Sequence, residues 1–109
     1  MAKKIDNLQG SLELLILKTL ERGANHGFGI TTHVQTASEG LLHIEEGSLY
    51  PALHRLEREK LVSGSWNTTE NGRRARLYAL TAAGRKRLAD ARTNWKTVAR
   101  GVKRVLRFA

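Results

Sequence analysis

Between Ser48 and Leu80 the chain changes its periodicity once, and that change restricts the possible folds more than any other feature. Leu49, Leu53 and Leu56 recur at spacings of four and three, as on a helix with one buried face. From Leu61 that spacing stops. Val62 to Trp66 alternates imperfectly, and Ala75 to Leu80 alternates small or polar residues with large apolar ones, as half-covered strands do. The connecting stretch from Asn67 to Arg74 contains Asn71-Gly72, a strong hairpin signal. A helix followed directly by a β-hairpin with a basic tip is therefore expected.

The flanking segments read as helices. Gly47-Ser48 opens the central helix, with Ser48 as its cap, Pro51 in the tolerant first turn and an end near Lys60. Ser11 caps an earlier helix with Glu13 in its first turn, and Gly23 terminates it. Leu12 to Leu20 is apolar around nearly the whole circumference, which requires burial on more than one side and points to a partner subunit. A second helix starts near Asn25, carries Ile30, Val34 and Ala37, and ends at Gly40. Gly27 and Gly29 weaken its first turn or allow close backbone approach. Leu41 to Ile44 reads as a short strand or an extended arm, and Thr81 caps a long last helix.

The resulting order is mainly α with a small β-hairpin: a winged helix-turn-helix followed by a long C-terminal helix. Residues 1–80 form the expected DNA-binding domain and residues 81–109 the dimerisation helix.

Charge supports this division. The formal charge is +9 over 109 residues. Residues 1–60 hold seven Lys/Arg against eight acids, whereas residues 61–109 hold twelve against two. Such a surface suits a polyanion, whose condensed counterions are released on binding. With the leucines inward, Ser48, Tyr50, Pro51, His54, Arg55 and Arg58 face outward. Tyr50 and His54 share one side, and Pro51, Arg55 and Arg58 share another. Ser48, Tyr50, His54, Arg55, Lys60, Arg73, Arg74 and Arg76 are the candidate DNA contacts, because hydroxyl, imidazole and guanidinium groups bond base edges and phosphates. Arg74 and Arg76 point to one face of their strand and Arg73 to the other, so one or two reach phosphates while another braces the hairpin. Roughly three phosphates per protomer, or about six per dimer, would weaken affinity on the order of a thousandfold between about 50 and 200 mM salt.

Leu88, Ala91, Trp95, Val98, Val102 and Val105 form an a/d seam, the 3.5-residue period of helices packed along their length. The seam is short and contains Gly101, so dimerisation is expected to use the first helix as well. Two recognition helices related by a two-fold axis would read a pseudo-palindromic site with half-sites about 10 base pairs, or a multiple, apart.

Several classes are disfavoured. There is no cysteine, and His26, His33, His43 and His54 are scattered without metal-ligand spacing. No phosphate loop or nucleophile motif is present, so neither catalysis nor a cofactor or metal is expected. No apolar run is long enough to span a membrane and no secretory signal is visible, so a cytoplasmic protein is expected. The competing class is a winged-helix module that binds protein or RNA without operator specificity.

The run Glu46-Gly47-Ser48-Leu49-Tyr50-Pro51-Ala52-Leu53-His54-Arg55-Leu56-Glu57, followed by Arg74-Ala75-Arg76-Leu77-Tyr78-Ala79-Leu80-Thr81-Ala82-Ala83-Gly84, closely resembles the PadR family of transcriptional regulators. Leu8-Gln9-Gly10, Leu14 to Leu20 and His26-Gly27-Phe28-Gly29-Ile30 match its N-terminal pattern, and the resemblance covers about residues 5–95. It implies a homodimeric, usually repressing bacterial regulator of the compact branch, with Tyr50 and its neighbours on operator DNA and the Arg73–Arg76 region as the wing contact. Phe28 stands where many relatives carry tyrosine, which removes a hydroxyl. In some compact relatives, aromatic side chains on the last helix line a pore where flat drug-like molecules stack. The resemblance thus offers Trp95 as a platform for an aromatic effector, beside the plainer reading that it packs the dimer core.

Overall fold

The computed structural model describes residues 11–108. The Leu8-Gln9-Gly10 motif lies outside the described residues. Four helices and three short strands follow in the order α1 (Leu12–Glu21), β1 (Asn25–His26), α2 (Gly27–Ala37), α3 (Glu46–Arg58), β2 (Val62–Thr68), β3 (Arg74–Leu80) and α4 (Ala82–Arg107). The sheet is antiparallel in the order β1-β3-β2. This is a winged helix, mainly helical, with a long C-terminal helix.

Ile16, Leu17 and Leu20 of α1, Ile30 and Val34 of α2, and Leu49, Leu53 and Leu56 of α3 form one buried cluster. Val62 and Tyr78 cover it from the sheet. Leu12, Leu14 and Leu15 are only partly buried against it, so the apolar circumference of α1 is not fully used within one protomer.

Several local expectations are corrected. Asn25 opens no helix: it pairs with Tyr78, and His26 with Leu77, so a two-residue strand precedes α2. Of Leu41 to Ile44, only Leu42 makes a β-bridge. α2 stops at two successive left-handed residues, Glu39 (φ 54°) and the expected Gly40 (φ 82°). Ser48 does not cap α3. The helix starts three residues earlier than a Ser48 cap implies, Glu45 occupies the cap, and the Ser48 and Leu49 amides both donate to the Glu45 carbonyl. Pro51 consequently falls in the second turn, where its missing N–H leaves the carbonyl of the exposed Gly47 to water.

The hairpin connection is longer than a two-residue Asn-Gly turn. The Thr69 amide donates to the Arg73 carbonyl and the Gly72 amide to the Thr69 carbonyl, leaving Glu70, Asn71 and Gly72 as a three-residue loop. Gly72 takes the left-handed conformation (φ 78°) that such loops place last. Trp66 therefore lies opposite Arg76 and Thr68 opposite Arg74.

A compact joint ties α3, the hairpin and α4 together. Lys60 adopts φ 61°, and the Leu61 amide returns to the Leu56 carbonyl while that of Lys60 returns to Glu57, a Schellman ending with Leu56 and Leu61 both buried in the core. Thr81 caps α4 as expected, accepting from the Gly84 amide, and its hydroxyl lies 2.8 Å from the Lys60 carbonyl. Gly84 sits so close that an added Cβ would fall 2.0 Å from the Leu61 carbonyl oxygen.

Candidate nucleic-acid interface

The β2–β3 hairpin, hereafter the wing, and the outer face of α3 enclose an open cleft of about 500 Å³ with the start of α2. Tyr50 and His54 reach it from α3, Phe28 from α2, and Trp66, Arg74 and Arg76 from the wing. No carboxylate is among its lining side chains. Tyr50 lies over the first residue of α2, where an added Cβ at Gly27 would stand 2.9 Å from the phenol oxygen. Close approach is thus what glycine permits here. Tyr78 is buried at the cleft floor, and burial, then the Glu57 carboxylate, pushes its phenol pKa up.

The candidate contacts divide into three groups. Tyr50, His54, Arg74 and Arg76 meet in the cleft. Ser48 and Arg73 are exposed outside it, at the first turn of α3 and the base of the wing loop. Arg55 and Lys60 belong to the far end of α3, where Arg55 lies 3.8 Å from Glu59. Glu59 in turn faces Arg87 of α4, which also binds Glu13 of α1 at 3.1 Å. The Glu13 contact, and then Glu59, raise the Arg87 pKa.

Arg76 differs from Arg74. Its guanidinium is half-buried and donates to the Glu57 carboxylate of α3, so it braces the wing against the helix. Its backbone carbonyl also contacts His26 Nδ1 at 3.1 Å, tying the wing to the start of α2. Arg74 is exposed. Both guanidiniums stack on the ring of Trp66, at 5.0 Å for Arg74 and 5.5 Å for Arg76. Trp66, 60% exposed, was absent from the contacts expected from sequence. Its signal was the register that places it opposite an alternating Arg-x-Arg strand.

The stretch of sequence characteristic of the "Transcriptional regulator PadR-like family" matches residues 16–90, which include α2, α3, the wing and the buried start of α4. The chain belongs to the PadR-like family of transcriptional regulators. A transcriptional regulator of Mycobacterium tuberculosis is 33% identical over 94 residues, covering 86% of this chain and 84% of that protein. The crystal structure of a PadR-like regulator from Bacillus cereus superposes with a TM-score of 0.77 at 27% identity, over 94% of this chain and 97% of that one. A transcriptional regulator from Clostridium thermocellum has the same fold, with a TM-score of 0.81 at 24% identity over 89% and 94% of the two chains.

In this PadR-like chain the expected seam on α4 is split. Leu88 is 1% exposed within a single protomer and belongs to the core, so it is unavailable to a partner, and Ala91 is half-buried. Trp95, Val98, Val102 and Val105 are exposed. Leu106 and Phe108 extend the exposed apolar surface. A second cleft, about 440 Å³, runs between α1 and α4 and is lined by Glu13, Arg87, Asp90, Ala91, Asn94, Trp95 and Val98. Asp90 is the sole acid on α4, but the fold brings Glu13 to the same cleft. Among the described residues no helix is long and apolar enough to cross a membrane, and no cluster of three or more His, Asp or Glu could hold a metal.

Proposed function

We propose that this PadR-like regulator binds duplex DNA as a homodimer and represses transcription from a pseudo-palindromic operator. The observation carrying this reading is the carboxylate-free cleft in which Tyr50 and His54 of α3 meet Arg74 of the wing. A helix face with hydroxyl and imidazole groups suits the major groove, and a basic hairpin beside it suits the backbone and minor groove. Ser48 and Arg73 extend this surface at its two ends, and Arg55 and Lys60 lie beyond it along α3. Residues 1–80 supply the DNA-binding unit. Residues 81–109 supply the dimerisation helix, with its first two turns packed on the protomer's own core.

The exposed stripe Trp95, Val98, Val102 and Val105 supports dimerisation, as do the part-buried leucines of α1. Trp95 also lines the second cleft, where an aromatic effector would stack on its ring with Asp90 near any positive group, Glu13 being paired with Arg87. Binding there would alter the spacing of the two recognition helices and release the operator. A mobility-shift assay with the DNA upstream of the protein's own gene tests the function. A discrete shifted species that outlasts excess random duplex is expected. Equal affinity for random duplex, or preference for RNA, would overturn the operator reading.

A further inference from the structure

We propose that the cleft between α3 and the wing grips one sugar–phosphate strand of the duplex, with Trp66 packed on the deoxyriboses and Arg74 on the adjoining phosphate. Arg76, held by Glu57, is in this account a positioning residue and not a phosphate contact. The inference rests on the DNA-binding reading and adds an aromatic wall to it.

A duplex that offers its major groove to α3 and its minor groove to the wing must pass the intervening backbone between those two elements. The space between them is this cleft. Its chemistry is that of a sugar–phosphate chain: Phe28, Tyr50 and Trp66 supply apolar faces, while His54 and Arg74 supply polar or cationic groups. Trp66 is exposed, and the guanidiniums over its ring favour this placement. Bases in an intact duplex are already stacked on each other, and prising them apart is expensive. Sugar edges are therefore the apolar surface open to this ring.

The two arginines flanking the ring are not equivalent. Arg74 stacks on Trp66 but has no carboxylate partner among the described residues, so its charge is available to a phosphate. Arg76 is paired with Glu57 through one guanidinium nitrogen, so its charge is already largely neutralised and it offers a polyanion less attraction than Arg74 does. The pair is also accommodated by the backbone: a Cβ at Gly64 would stand 2.9 Å from Arg76 Nε and 3.0 Å from Glu57 Oε2. Glu57, Gly64 and Arg76 thus fix the tilt of the wing, and Trp66 and Arg74 use it.

The test combines tryptophan emission with the salt dependence of affinity for the upstream duplex. Emission of the wild type should change on DNA binding, and that change should vanish in Trp66→Phe, which still binds. Trp66→Ala should weaken binding about tenfold with an unchanged salt slope, because an apolar contact releases no counterions. Arg74→Ala should lower the slope by about one per protomer. Arg76→Ala should weaken binding at constant slope and alter the emission of the free protein. Circular dichroism checks that each variant is folded. Emission unmoved when the mobility shift shows full binding would overturn the inference, as would an Arg76→Ala slope change equal to that of Arg74→Ala. Failure of the wild type to shift any duplex would instead overturn the DNA reading itself.

Discussion

The molecule exposes two tryptophans in opposite company. Trp66, on the wing, is 60% exposed with the guanidiniums of Arg74 and Arg76 over its ring. Trp95, on α4, is 49% exposed in line with Val98, Val102 and Val105. Both rings offer a large flat apolar surface, so the ring alone does not decide the partner. Cations beside an aromatic wall favour a polyanion, whereas β-branched residues on a repeating helical stripe favour a second copy of the same stripe. On the reading proposed above, the first face takes DNA and the second takes the partner protomer. The two are joined through one joint at Lys60–Leu61, Thr81 and Gly84, reinforced by Arg87 bridging Glu13 and Glu59.

The largest way to break this comparison is to charge the valine face. Val102→Asp leaves an exposed position exposed in the protomer but puts two carboxylates into the dimer. It should yield folded monomers in sedimentation and lower operator affinity on the order of a hundredfold through lost bivalency. Next is the joint. Gly84→Ala places a methyl against the Leu61 carbonyl and should destabilise the fold by about 2 kcal/mol in denaturant titration, weakening both faces together. A smaller effect is expected at the wing. Arg74→Ala should weaken all duplexes alike by about 1–2 kcal/mol, lower the salt slope and leave dimerisation intact. The smallest sharpens the account from the other side. Lys60→Gly removes a left-handed strain at φ 61° and should stabilise the fold by about 1 kcal/mol, while removing one cation from the end of α3.

The parts of the fold that were legible in the sequence are those with local causes. The 4-3 spacing of Leu49, Leu53 and Leu56, the Thr81 cap and the alternation of Ala75 to Leu80 each arise within one element. Features that depend on pairing were not legible. Asn25-His26 is a strand only because β3 offers it a free edge. Trp66 was missed for a related reason. A two-residue Asn71-Gly72 turn would have set it opposite Leu77, and the one-residue longer loop sets it opposite Arg76. In a strand that slip changes which face a side chain shares. The seam on α4 was readable as a stripe but not as two surfaces, because the repeat is blind to where the protomer's own core ends. Leu88 falls inside that boundary and Trp95 beyond it. The division of labour between Arg74 and Arg76 likewise needed Glu57, which lies 19 residues away from Arg76 in the chain.

The central claim is that the tryptophan-and-arginine face meets DNA while the tryptophan-and-valine face meets a second protomer. Sedimentation of the protein at micromolar concentration, alone and with the upstream duplex, tests it most directly. The account predicts a dimer in free solution and two protomers on each duplex, with Val102→Asp monomeric in the absence of DNA. A wild-type protein that is monomeric alone and binds the duplex as single copies would contradict it.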